Sequence, residues 1–200
     1  MADSTGTRTV TGPRVPGVRV RRETVIAADR AEELYPWYEA TFAPLREAAA
    51  ARHVLSLEEF AEEMADPRID KWVATSEDDG SFLGLSTLAR DLEAVPWASP
   101  DYYVVRHPEH AARGAIWYLG FTMTPPGGQR AGVFATMLTA MMEAAVEHRV
   151  IVAWDMCAAN VDSGLNDAIM AQLAAGAGAP STQVDVQTYY SADFSGGSDS

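Results

Sequence analysis

Apolar positions along this 200-residue chain change period several times, and each change marks an element. Strict alternation in Val18-Arg19-Val20-Arg21 predicts a first strand over 18–25. Residues 27–42 carry Ala31, Leu34, Trp37, Tyr38 and Phe42 at helical spacing, with Pro36 and Pro44 set to interrupt or end that helix. Ser56-Leu57-Glu58-Glu59 is a capping box that opens a second helix, closed by Asp66-Pro67. The runs 71–76 and 82–90 flank Glu77-Asp78-Asp79-Gly80, a hairpin signal. An apolar run at 115–123 predicts a fourth strand, and 132–148 has the period of the longest helix. Residues 150–156 form a fifth strand too apolar for a surface position. A short helix follows at 163–174, and the alternation at 183–190 predicts a last strand.

The order is strand, two helices, three strands, helix, strand, helix, strand. A doubly wound sheet needs helices between most of its strands, and the hairpin at 71–90 argues against it. The fold class predicted is α+β: a mixed, mostly antiparallel sheet with flanking helices. No linker or repeat divides the middle of the chain. Residues 1–16, polar and rich in Gly, Pro, Ser and Thr, read as a disordered N-terminal arm. Residues 17–190 form a single domain, and 191–200, with Ser195-Gly196-Gly197-Ser198, form a flexible C-terminal tail.

Composition narrows the function classes. A hydrophobic fraction of 48% supports a real core, yet no apolar stretch is continuous enough to span a bilayer. Residues 1–16 lack the apolar centre of a signal peptide, so a cytoplasmic location is expected. The single cysteine, Cys157, excludes an intramolecular disulfide and sits in an apolar run as a buried, inert thiol would. A formal charge of −13, from 28 acids against 15 bases, argues against nucleic acid, which needs a basic face. The same surface suits amines and other cations, or serves only solubility.

The most informative stretch is Pro126-Gly127-Gly128-Gln129-Arg130-Ala131-Gly132-Val133-Phe134. A strand, a glycine-rich turn and a helix in that order make an anion cradle, because backbone N–H groups converge at a helix N-terminus. Such a turn also serves simply as a tight connection. It is not a P-loop, having no Gly-Lys-Ser/Thr end, and its glycines miss the spacing of dinucleotide folds. It resembles the acetyl-CoA loop of the GNAT superfamily of N-acetyltransferases, which carries Arg/Gln-x-x-Gly-x-Gly/Ala between its fourth strand and third helix. Gln129 and Gly132 match that motif, and Phe134 departs from it.

The resemblance implies an acetyl-CoA-dependent N-acetyltransferase acting on the amine of a small molecule by direct transfer, with room for a homodimer. The alternative is a catalytically degenerate member that binds CoA or another ligand without transfer. It implies that backbone N–H groups of Gln129, Arg130, Ala131, Gly132, Val133 and Phe134 hold the CoA pyrophosphate. Phe134 either narrows that cradle or points into the core. Met123 and Thr124 stand where the family's fourth strand splays from the fifth and a free N–H meets the thioester carbonyl. Asn166 falls one place from the family's asparagine, and Gln172 falls where a tyrosine acid is usual.

Transfer needs a base for the amine and an acid for the departing thiolate. Residues 115–124 contain no acid, and glutamine cannot donate a proton as an acid. The substitutes are Asp155, Tyr118 and Glu93, each with a plainer reading: an acid held at a strand end, a core phenol, and a solvated loop residue. The long connection 92–113 brings Trp97, Tyr102 and Tyr103, which either wall an acceptor pocket or cover the sheet. His107 and His110 lack a third ligand nearby, and no metal is expected. Met137, Met141 and Met142 on one helix face are either core or, in an unrelated α/β association domain, a contact surface.

Overall fold

The computed structural model describes residues 9–51, 54–125 and 130–192. Its elements are β1 (Val18–Glu23), α1 (Ala28–Phe42), α2 (Leu45–Ala48), α3 (Leu57–Ala65), β2 (Ile69–Ser76), β3 (Phe82–Ala89), α4 (Pro100–Arg106), α5 (Pro108–Ala111), β4 (Ile116–Met123), α6 (Arg130–His148), β5 (Ile151–Ala153), α7 (Ala158–Asp162) and α8 (Leu165–Ala177). The strands form one sheet in the order β1-β2-β3-β4-β5. β1 to β4 pair antiparallel, and β4 pairs with β5 in parallel. The α+β expectation holds.

Local chemistry explains several boundaries. Ser56 Oγ accepts the Glu59 N–H at 3.2 Å, and Glu59 Oε2 accepts the Ser56 N–H at 2.7 Å, so the capping box starts α3. Gly80, at φ +74°, supplies the left-handed residue of the β2–β3 turn. α1 continues through Pro36, because Leu34, Tyr38 and Phe42 are all buried on its inner face.

The sheet is covered on both sides. On one face α6 and α8 bury Trp72, Leu88, Trp117, Leu119, Met137, Met141 and Ile169. Met137, Met141 and Met142 are therefore core, with 0–4% of their surface exposed. On the other face α1 and α3 bury Tyr38, Phe42, Phe60, Val73, Leu85, Phe121 and Met123. A third cluster, with Ile69, Ala89, Leu92, Ile116 and Tyr118, extends that second face towards the 92–113 connection.

β4 contributes to both faces through a bulge. Its register runs Leu85↔Met123 and Ser86↔Thr122, then Leu88↔Leu119 and Ala89↔Tyr118. Gly120 and Phe121 together oppose Thr87, so β4 holds one extra residue. Trp117 and Leu119 face α6, whereas Phe121 and Met123 face α1 and α3. Regular alternation would put all four on one face.

Two expectations need correction. The last strand predicted at 183–190 is not a strand: Val184 and Val186 are 59% and 66% exposed. Alternation supplies two faces but not a partner, and β5 is only three residues long. The fifth strand itself stops at Ala153, because Trp154 and Asp155 turn to other partners. The long 92–113 connection carries two short helices, opened at their first turns by Pro100 and Pro108.

The composition-based arm at 1–16 is also tied down over its described part. Thr11 N–H donates to Gly176 O (2.8 Å), Val15 N–H to Thr136 Oγ1 (3.0 Å), and Thr139 Oγ1 to Pro13 O (3.1 Å). Arg14 pairs with Glu143 at 2.6 Å. The segment thus runs along α6 and reaches α8.

Candidate active site

The site begins where two parallel strands part. β4 and β5 pair at Ile116↔Ile151, Trp117↔Val152 and Tyr118↔Ala153. β5 ends there, while β4 runs on to Met123 without it. After Ala153 the chain turns away, held by Trp154 Nε1–H donating to Asn166 Oδ1 at 3.2 Å. A broad surface cleft of about 2650 Å³ includes this opening and is lined there by Tyr118, Gly120, Phe121, Trp154, Asp155 and Met156.

At its mouth three separate segments converge on one carboxylate. Tyr118 Oη donates to Asp155 Oδ1 at 2.7 Å, and Trp97 Nε1 donates to the same oxygen at 3.1 Å. Tyr118 comes from a central strand and is 4% exposed. Asp155 stands two residues past the end of β5, on the solvent side. Trp97, from the 92–113 connection, meets the Tyr118 ring edge-on at 6.3 Å and remains 58% exposed. Burial lifts the Tyr118 phenol far above its ordinary value, and the hydrogen bond and negative charge of Asp155 lift it further. Burial likewise raises Tyr103, with contributions from Tyr102, Asp155 and Asp185. Tyr118 thus stays a protonated donor at neutral pH, fixed against the Asp155 carboxylate.

The other sequence candidates fall into different places. Glu93 sits on a 3₁₀ turn, Leu92–Ala94, exposed and in the field of Arg68 rather than at the cleft. Tyr103 lines the cleft, whereas Tyr102 turns outwards, its hydroxyl donating to Val184 O at 2.9 Å under the Arg106 guanidinium. Asn166 anchors Trp154 and donates to Met170 Sδ at 3.2 Å. Gln172 Nε2 donates to Ala135 O (2.8 Å) and Thr139 Oγ1 (3.1 Å), clamping α8 to α6. Met123, 1% exposed, and Thr124 lie at the far end of the open β4 strip.

Of the proposed pyrophosphate cradle, Gln129 lies outside the described residues, as do the side chains of Arg130 and Ala131. Gly132 is in the first turn of α6, where a Cβ would meet Val15 Cγ2 at 2.6 Å. Val133 is buried and Phe134 packs against the α6-side core, so Phe134 points inward rather than into the cradle. His107 and His110 meet edge-on, with ring centres 6.2 Å apart.

Sequence reasoning missed Thr87 and Gly120. Thr87 Oγ1 accepts the Phe121 N–H at 3.1 Å, and a Cβ on Gly120 would meet that oxygen at 2.4 Å. The available signal was a lone glycine inside an apolar strand, which marks a bulge or a close approach.

No protein-family model and no curated protein matches the chain. Its likeness is to solved structures. An aminoglycoside acetyltransferase from an uncultured soil metagenomic sample, in complex with trehalose, matches at a TM-score of 0.52 and 15% identity, over 88% of this chain and 97% of that one. The ribosomal-protein-alanine N-acetyltransferase of Brucella melitensis biovar Abortus 2308 matches at 0.51 and 11% identity, over 88% and 99%. An aminoglycoside N-acetyltransferase in complex with CoA matches at 0.50 and 13% identity, over 90% and 97%. Matches that span nearly the whole of both chains make the fold a shared one: this chain has the fold of the GNAT superfamily of N-acetyltransferases.

Proposed function

We propose that this protein is an acetyl-CoA-dependent N-acetyltransferase that transfers the acyl group directly to the amine of a small molecule. The observation that carries this reading is the Tyr118–Asp155 pair set where β4 parts from β5. The acyl-CoA is a substrate, and a long, flexible one. The open β4 strip beyond Tyr118 and the facing turn at 154–157 suit its pantetheine arm. The first turn of α6 faces the pyrophosphate with its N–H groups, as helix N-termini do.

The chemistry follows from two hydrogen-bonded groups. The amine lone pair attacks the acyl carbon, and the C–S bond breaks as the tetrahedral adduct collapses. Asp155, exposed and accepting, takes the proton from the attacking nitrogen. Tyr118, kept protonated, gives its proton to the CoA thiolate and recovers one from Asp155. One proton thus moves from amine to thiol and both residues return to their starting states. Trp97 holds the carboxylate in place for both exchanges. Tyr103 and the exposed face of Trp97 border the acceptor side, and the net charge of −13 favours a cationic amine.

Thermal shift with acetyl-CoA, CoA and ATP tests the binding half of this reading. Stabilisation by the first two alone is expected. Equal response to all three, or none, contradicts it.

A further inference from the structure

Thr87 is an interior hydroxyl that the chemistry above leaves unused. It lies on β3 with 1% of its surface exposed, on the sheet face that also carries Tyr118 and Phe121. Its oxygen accepts the Phe121 N–H at 3.1 Å, satisfying a donor that the β4 bulge takes out of the regular ladder. A hydroxyl offers one proton and two lone pairs. One lone pair is thereby anchored, and among the described residues the proton has no acceptor. Thr87 and Gly120 both line the cleft where β4 continues without β5. Glycine at 120 leaves the oxygen uncovered, since a Cβ there would stand 2.4 Å from it.

A buried donor with its oxygen already pinned meets the requirement for stabilising charge that develops in a transition state, because it needs no reorganisation when that charge appears. The Phe121 N–H polarises the hydroxyl further by donating into it. We propose that Thr87 donates its hydroxyl proton to the acyl carbonyl oxygen as the amine attacks. The inference rests on the acyl-transfer reading. As the C–N bond forms, the carbonyl π pair moves onto oxygen and is held by Thr87. When the C–S bond breaks, the pair returns to carbon and sulfur leaves with its bonding pair. Thr87 keeps its proton throughout.

The test combines kinetics with the infrared carbonyl stretch of bound 13C-labelled acetyl-CoA. Thr87→Ser keeps the hydroxyl and is expected to retain kcat within about threefold. Thr87→Val keeps the shape, and kcat is expected to fall by about a hundredfold while KM for acetyl-CoA stays within about threefold. The carbonyl stretch is expected at lower frequency in wild type and Thr87→Ser than in Thr87→Val. Full turnover in Thr87→Val, or the same stretch in all three, overturns the role of Thr87 and leaves acyl transfer standing. If Thr87→Val does not fold, the wild-type protein alone decides: a bound carbonyl stretch no lower than that of the thioester in an aprotic solvent overturns it. Wild-type protein that neither binds acetyl-CoA nor releases thiol overturns both readings together.

Discussion

Lys71 is the chain's only lysine and has no exposed surface. Its Nζ donates to Asp66 O at 2.6 Å and Thr24 O at 3.1 Å, joining the end of α3 to the end of β1. Burial pushes it down from 10.5 to about 8, against the opposing pull of Asp66, Glu63 and Asp70. Between those two values the unfolded chain binds more protons than the folded one, so stability rises with pH across that window. At about 1.4 kcal/mol per pKa unit the whole effect is about 3 kcal/mol, and about 2 kcal/mol of it is recovered between pH 7 and pH 10. Lys71→Met removes the titration. It also takes the ammonium donor from Thr24 O, at about 1–3 kcal/mol, and one of two donors from Asp66 O, which keeps the Ile69 N–H at 3.2 Å, at about 1 kcal/mol, against the relief of the buried charge. At pH 7 the variant is therefore expected to lie within about 1 kcal/mol of wild type. Urea unfolding at pH 7, 8, 9 and 10 reads both quantities. Tyr103 and Tyr118 act in the opposite sense at the alkaline end, and they cancel between the two proteins. The expected result is a wild-type stability that climbs relative to the variant by about 2 kcal/mol. Parallel curves from pH 7 to pH 10 would refute the depressed lysine.

Gly132→Ala puts a Cβ at 2.6 Å from Val15 Cγ2 and should loosen the N-terminal segment from α6. Faster hydrogen exchange at the Val15 amide, which donates to Thr136 Oγ1, is the expected sign, and unchanged protection counts against it. Gln172→Ala should cost about 1–2 kcal/mol of stability through its two lost bonds and leave kcat within about threefold. A tenfold loss of kcat at unchanged stability would instead give Gln172 a chemical role. Alanine at both Tyr102 and Tyr103 should alter the acceptor KM through Tyr103, which lines the cleft. Unaltered acceptor kinetics would make 92–113 a cover for the sheet.

The elements that sequence predicted well are those whose signal is local. A capping box needs only Ser56 and Glu59, and the β2–β3 turn needs only a short polar run and a glycine. Tyr118, Asp155 and Trp97 were each visible as candidates, but their meeting was not. They come from positions 37 and 58 residues apart, and only the sheet brings them together. The bulge at Gly120 was hidden for a related reason: Leu119, Phe121 and Met123 read as one alternating face, although the chain divides them between two. Residues 9–16 look loose by composition, yet Gly12 and Gly176 allow close backbone contact with Thr139 and Thr11. Residues 183–190 show the converse, since alternation there finds no strand to pair with. Glu93 lies exposed and away from the cleft lining, and nothing in its local sequence reports which way a 3₁₀ turn faces.

The central claim is that the paired Tyr118 and Asp155 serve acyl transfer at the opening between β4 and β5. Amine-dependent release of CoA thiol from acetyl-CoA, followed across pH in wild type and Asp155→Asn, tests it most directly. The account predicts thiol release by wild type with some member of a panel of cationic amines. In the variant it predicts a fall of about a hundredfold or more in kcat, with acetyl-CoA affinity in calorimetry kept within about threefold. A wild type that binds acetyl-CoA but releases no thiol with any amine, or an Asp155→Asn variant with full turnover and an unshifted pH profile, would contradict it.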